Sequence, residues 1–173
     1  IYQINFWIIM AETLVEYINN LTSNPKITTF FLSMLPVGEL RAAVPWAYIF
    51  TDLPMYEIIT ISIIGNFLII IPIIFLIEPM VKIASHIRWL NLFLNWLFIR
   101  TRKKGKLVEK YHFIGLMLFV GIPLPVTGAW TGCIAAYLFN IPILKSLISI
   151  FVGLILSSSI ISALLLSGNW MFN

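Results

Sequence analysis

Three charge-free apolar runs dominate the chain: Ile58 to Ile77, Phe113 to Leu144 and Ser146 to Asn173. Each reaches or exceeds the roughly 20 residues that carry a helix through about 30 Å of hydrocarbon. Two other stretches are amphipathic at helical spacing. In the first, Leu14, Val15, Ile18 and Leu21 share a face, with Glu12, Glu16, Asn19 and Asn20 elsewhere, which predicts a short interfacial helix over 10–21. In the second, Ile83, Ile87, Leu90, Leu94 and Leu97 form one stripe and Arg88, Asn91 and Asn95 another, so the segment 82–106 belongs on the membrane surface rather than across it.

Two broken segments interrupt the apolar pattern. "LPVGELRAAVPWAYIF" at 35–50 aligns without gaps on "LPVTGAWTGCIAAYLF" at 124–139, matching at Leu, Pro, Val, Ala, Tyr and Phe. One residue of slippage then lays Pro54 on Pro142, and a long apolar helix follows each block, over 55–77 and 143–167. The pattern is that of a duplicated unit. The arms of each broken segment, 27–34 with 39–50 and 111–123 with 129–139, rise about 12 to 20 Å as helices, short of a full crossing. Pro-Val-Gly and Pro-Val-Thr-Gly tips supply the breaks. A single kinked span over 27–50 is the competing geometry. The expected fold is therefore all-α and integral to the membrane, a single domain over 1–173. It holds two inverted repeats, each a re-entrant helical hairpin (27–50 and 111–139) plus a transmembrane helix, with interfacial amphipathic helices beside them.

Composition agrees: 60% of the 173 residues are hydrophobic and 10% charged, too apolar for one water-soluble core. The net charge of +4 is uneven. Residues 1–57 carry five acids and two bases, whereas 78–110 carry eight bases and two acids. Under the positive-inside rule the basic block is cytoplasmic, and topology accounts for it without nucleic acid. Such a block also attracts anionic lipid headgroups. The chain begins with Ile, and "AETLVEYINNL" after Met10 makes a natural helix opening, so residues 1–9 are expected to be an upstream addition. The lone Cys133 offers neither an internal disulfide nor a thiolate metal set.

The chemistry concentrates at the tips. Non-helical backbone at membrane depth is tolerated only where protein packs on it or water reaches it, so the two tips should meet. The helix after each tip points its free N–H groups and positive dipole end at that place, which suits an anion. Arg41 adds a cation able to grip phosphate or carboxylate with two parallel bonds. Glu39 is a carboxylate at depth, by default a proton or cation site. Pro36, Gly38, Pro125 and Gly128 shape the tips, Thr127 caps its arm or meets a ligand, and Trp130, matching Arg41 in the second copy, walls the site. Asn66 lines a cavity or bonds another helix. The bland alternative pairs Glu39 and Arg41 with each other or with Glu57. His86 and His112 read as interfacial, and Ser157, Ser158, Ser159 and Ser162 as helix packing. No nucleophile elbow, P-loop, zinc-binding pair or paired-carboxylate spacing occurs, so neither an enzyme nor a metal or cofactor site is expected.

The strings "LSMLPVGELRAAVPWAY", "IIGN" and "GIPLPVTGAWTGCIAAYLF" resemble the putative small multidrug export proteins, compact prokaryotic membrane proteins, over about residues 10–168. That resemblance implies a fold and a motif more firmly than a substrate. More distantly, the paired broken segments resemble the DedA or SNARE-associated superfamily, linked to lipid and polyprenyl-phosphate translocation through two inverted re-entrant hairpins. Glu39 and Arg41 suit that superfamily's tip charges, whereas Trp130 stands where its second arginine is expected. The functional expectation is a small secondary transporter or flippase in the cell membrane. It would move an amphipathic or anionic substrate, lipid phosphate included, by proton coupling, as a homodimer among membrane lipids. A non-transporting scaffold or assembly factor, and an exporter of lipophilic drugs, are the alternatives.

Overall fold

The computed structural model describes residues 24–36, 38–123 and 127–172, with side chains as far as Ser167. The expected helix over 10–21 and Pro125 lie outside the described residues. Within them the chain is all-helical: α1 (Pro25–Met34), α2 (Glu39–Phe50), α3 (Met55–Ser85), α4 (Arg88–Lys104), α5 (Lys106–Gly121), α6 (Ala129–Leu138) and α7 (Ile143–Phe172). Local chemistry sets several starts. The Asn24 side chain accepts the Lys26 N–H at 3.0 Å with Pro25 in the first turn, satisfying one of the donors a helix start leaves free. Pro54 and Pro142 directly precede α3 and α7. At 31 and 30 residues these two helices are about 45 Å long and exceed the hydrocarbon thickness. α3 continues past Ile77 to Ser85 in spite of Pro72 and Pro79.

The chain divides into two compact units. One comprises the residues up to Asn66 together with those from Ser158 onward, and the other Phe67–Ser157. Each therefore takes one pair of short helices (α1 with α2, or α5 with α6, the latter joined by α4), the first part of the long helix that follows it, and the second part of the other long helix.

In the first unit α1 packs along α2. Lys26, at the start of α1, forms an ion pair with Glu57, at the start of α3, at 2.6 Å. The chain thus leaves one end through α1 and returns toward it through α2, since only four residues separate the end of α2 from the start of α3. Farther along, Gly65 of α3 lies against α1: a Cβ there would meet the Ser33 hydroxyl and stand 2.6 Å from the Phe30 carbonyl oxygen. Only a residue without a side chain lets the two backbones approach so closely.

In the second unit α5 packs on α6, and α4 packs on both. The helix axis breaks at His112 (φ 40°, ψ −94°), which separates the basic start of α5 from its apolar arm. Gly105 lies against the Phe139 ring, where a Cβ would stand 2.8 Å from Cε2, so the start of α5 and the end of α6 also share one end. Gly153 of α7 sits on α5, where a Cβ would fall 2.8 Å from Val120 Cβ and 2.9 Å from the Met117 carbonyl oxygen.

The register that lays Pro54 on Pro142 lays Gly65 on Gly153, and each of those glycines packs on the first short helix of its own pair. The same register pairs Ile58 with Ser146, Ser62 with Ile150, Asn66 with Leu154 and Ile70 with Ser158, and all eight are buried. Outward, α3 exposes Ile64, Leu68, Ile71 and Phe75 on one face, and α7 exposes Leu144, Ile148, Phe151 and Ile155. Large apolar faces of this kind suit a lipid surround and not water.

Candidate functional site

The first unit has a polar interior. Thr28, Thr29 and Ser33 on α1, Glu39 on α2, Ser62 and Asn66 on α3, and Ser158 and Ser162 on α7 are all buried there. Most of the described hydroxyls satisfy themselves by donating to their own helix. Thr28 donates to the Asn24 carbonyl (3.2 Å), Thr29 to Pro25 (2.7 Å), Ser33 to Phe30 (2.7 Å), Ser146 to Pro142 (3.1 Å) and Ser149 to Lys145 (2.8 Å). Folding back in this way removes a hydroxyl from the apolar interior at little cost. Ser62, Ser157 and Ser162 do not fold back: their hydroxyls are buried without a hydrogen-bond partner, as are both the oxygen and the nitrogen of the Asn66 amide.

Glu39 is buried at 8% exposure in the first turn of α2. Its backbone is left-handed, φ 49°, a conformation that costs a non-glycine residue about 1 to 2 kcal/mol and clusters at functional sites. That local departure from helical geometry is what the Glu39 and Arg41 spacing calls for, because on a regular helix residues two apart point to opposite sides. The Glu39 carboxylate lies within coulombic reach of the half-buried Arg41 guanidinium. Glu57, the other partner weighed for them, is held by Lys26.

Depth follows from the α1 to α3 contacts. Lys26 is level with Glu57, and Phe30 and Ser33 are level with Gly65, so the two helices run in the same direction. Asn66 then lies about 14 Å along α3 from Glu57, where α1 gives way to the tip and α2 begins. Gly38 immediately precedes Glu39 as the residue capping α2, and Pro36 at the tip is exposed. Five of the sequence-predicted residues, Pro36, Gly38, Glu39, Arg41 and Asn66, therefore belong to the first unit.

Thr127, Gly128 and Trp130 belong to the second. Thr127 is 5% exposed, and its hydroxyl donates to the Ile122 carbonyl at 3.2 Å. Gly128 caps α6 without a side chain, the Thr131 hydroxyl donating to its carbonyl at 3.2 Å. Cys133 is wholly buried on α6. Sequence reasoning missed a second concavity in this unit, a cavity of about 620 Å³ between the end of α3 and the α6 to α7 turn, lined by Phe75, Glu78, Tyr137 and Asn140 among aliphatic side chains. Glu78 there pairs with Lys82 at 2.7 Å. The signal that could have found the cavity is Glu78, a lone acid directly after the apolar run that ends at Ile77.

Compared with known proteins, the chain matches one family profile, described as "Putative small multi-drug export protein", over residues 39–160. No curated protein and no solved structure matches it.

Proposed function

Because the chain belongs to the putative small multi-drug export protein family, a membrane-transport family by its name, we propose that it is a small secondary transporter whose substrate carries an anionic, phosphate-like group. Arg41 and the positive dipole end of α2 hold that group, and Glu39 carries the coupling proton. The observation that carries this reading is the burial of Glu39 beside Arg41 on a left-handed first turn, at the depth of the Asn66 amide. A buried acid and a half-buried base at a helix start are costly in lipid, and a packing role is served more cheaply by apolar residues. The anion's charge is matched by Arg41 and the α2 dipole, and the proton on Glu39 sets whether a second negative charge stands beside it.

In this reading the two short-helix pairs are re-entrant hairpins, related by duplication and inverted across the membrane. The Lys26 to Glu57 ion pair and the Gly105 contact with Phe139 support it, since both pairs begin and end at one level. α4 lies along the cytoplasmic surface, where its exposed Trp89, Phe93 and Trp96 sit at headgroup depth and the bases of 100–110 meet the leaflet. With two spanning helices forming a thin wall, a homodimer completes the shelter. The tip charges of Glu39 and Arg41 favour a lipid phosphate within the anionic class.

Labelling tests the topology. Cysteines placed at Asn24 and at Lys103 are expected to react with an impermeant maleimide from opposite sides of the membrane, with buried Cys133 silent. Reaction from one side sinks the inverted arrangement. Ligand stabilisation tests the function against a scaffold role: dihexanoyl phosphatidate is expected to raise the Tm of the purified protein, and Arg41→Ala to abolish the rise. Equal stabilisation of both proteins would exclude Arg41 as the anion's partner.

A further inference from the structure

The Asn66 amide is wholly buried with both its oxygen and its nitrogen unpartnered, and one turn earlier on α3 the buried Ser62 hydroxyl is also unpartnered. Residues four apart on a helix are neighbours on one face. Ser162, in the same unit, is buried with its hydroxyl likewise unbonded. Packing does not require these polar groups. The positions that match Ser62 and Asn66 in the second long helix are Ile150 and Leu154, both buried, so the fold itself accepts aliphatic side chains at this face. Nor are the groups the ordinary self-satisfied hydroxyls of a membrane helix, because Ser146 and Ser149 of α7 show that form, donating to their own backbone. In lipid an unsatisfied polar group is strongly disfavoured, and here three unsatisfied side chains lie in one unit while the apolar solution stands in the other long helix of the same chain.

We infer that the Ser62 and Asn66 face of α3 binds an uncharged hydroxylated group of the substrate, beside the anionic group held by Arg41; the inference rests on the transport reading above. The chemistry follows from the donors and acceptors. The amide offers two N–H donors and an oxygen acceptor, and each hydroxyl offers both roles. A metal cation satisfies the oxygens and leaves the Asn66 nitrogen bare, whereas an inorganic anion satisfies the nitrogen and leaves the oxygen bare. A hydroxyl group both donates and accepts, and a vicinal diol spans two side chains one turn apart. The depth agrees, since Asn66 lies level with the start of α2, where Glu39 and Arg41 stand. The substrate class is thus a phosphate ester whose headgroup carries free hydroxyls, of the glycerol or sugar kind.

The test compares two short-chain probes on the purified full-length protein, dihexanoyl phosphatidylglycerol and dihexanoyl phosphatidate. Wild type is expected to bind the glycerol-bearing probe about tenfold more tightly, the gain of one or two net hydrogen bonds. Asn66→Leu, the residue the second helix uses, is expected to erase that preference, to leave phosphatidate affinity within about twofold, and to raise the Tm of the ligand-free protein because it removes an unsatisfied amide. Ser62→Ala is expected to weaken the preference in part. Retention of the preference in Asn66→Leu overturns the inference, and so does a fall in its ligand-free Tm, which would reveal a structural partner. Wild type that binds both probes equally, with both lost in Arg41→Ala, overturns the inference and leaves the transport reading standing. Binding of neither probe overturns both.

Discussion

Glu39→Gln is expected to reduce pH-gradient-driven movement of a short-chain fluorescent phosphatidate in reconstituted vesicles to the rate of protein-free vesicles, with the fold intact. Glutamine has the shape of a protonated glutamate, fills the same 8%-exposed position and meets the same left-handed backbone at φ 49°, so neither packing nor strain changes. What it lacks is a proton to release. Neighbouring Arg41 should still hold the anion, so phosphatidate stabilisation is expected to survive in Glu39→Gln while it disappears in Arg41→Ala. That split separates coupling from binding, and a structural ion pair would not produce it, since breaking such a pair from either side leaves an uncompensated buried charge and lowers stability alike. Gradient-driven movement at the wild-type rate in Glu39→Gln would remove Glu39 from the coupling step.

Gly65→Ala is expected to destabilise the protein by about 3 kcal/mol, the upper part of the usual range for overpacking, read as a fall in Tm or denaturant midpoint in mixed micelles. The sign makes the test sharp, because glycine to alanine in a free helix interior stabilises by about 1 kcal/mol. Here the new methyl group meets the Ser33 hydroxyl and stands 2.6 Å from the Phe30 carbonyl oxygen. A hydroxyl can rotate away, but a carbonyl held in the α1 ladder moves only with its helix, so α3 must separate from α1 and the Lys26 to Glu57 pair must lengthen. Gly153→Ala is expected to act in the same direction through Val120 and the Met117 carbonyl. A gain in stability at Gly65 would mean that α1 and α3 do not approach as described.

The chain order alone specifies a good deal. Pro54 and Pro142 place the starts of the long helices, the proline and glycine tips place the breaks, and the charge-free runs mark α3 and α7 as long and apolar enough to cross a membrane. These are local properties, fixed by backbone sterics and by composition over a helix length. The family likeness was equally legible, since it rests on contiguous strings, and the family profile matches over residues 39–160.

Tertiary packing decided the rest. Nothing local says that Lys26 reaches Glu57 across 31 positions, yet that contact sets the start of α1 beside the start of α3. Nothing local separates Ser146, which bonds its own backbone, from Ser62, which does not, because the choice depends on what stands opposite each hydroxyl. Glu39 and Arg41 were visible as charges out of place, but the left-handed backbone of Glu39, φ 49°, is not written in their spacing. The sequence determined which groups are available at depth and where the chain must break. Only the folded packing decided which of those groups are left unsatisfied, because a hydrogen bond's partner is set by the register between helices and not by spacing along one.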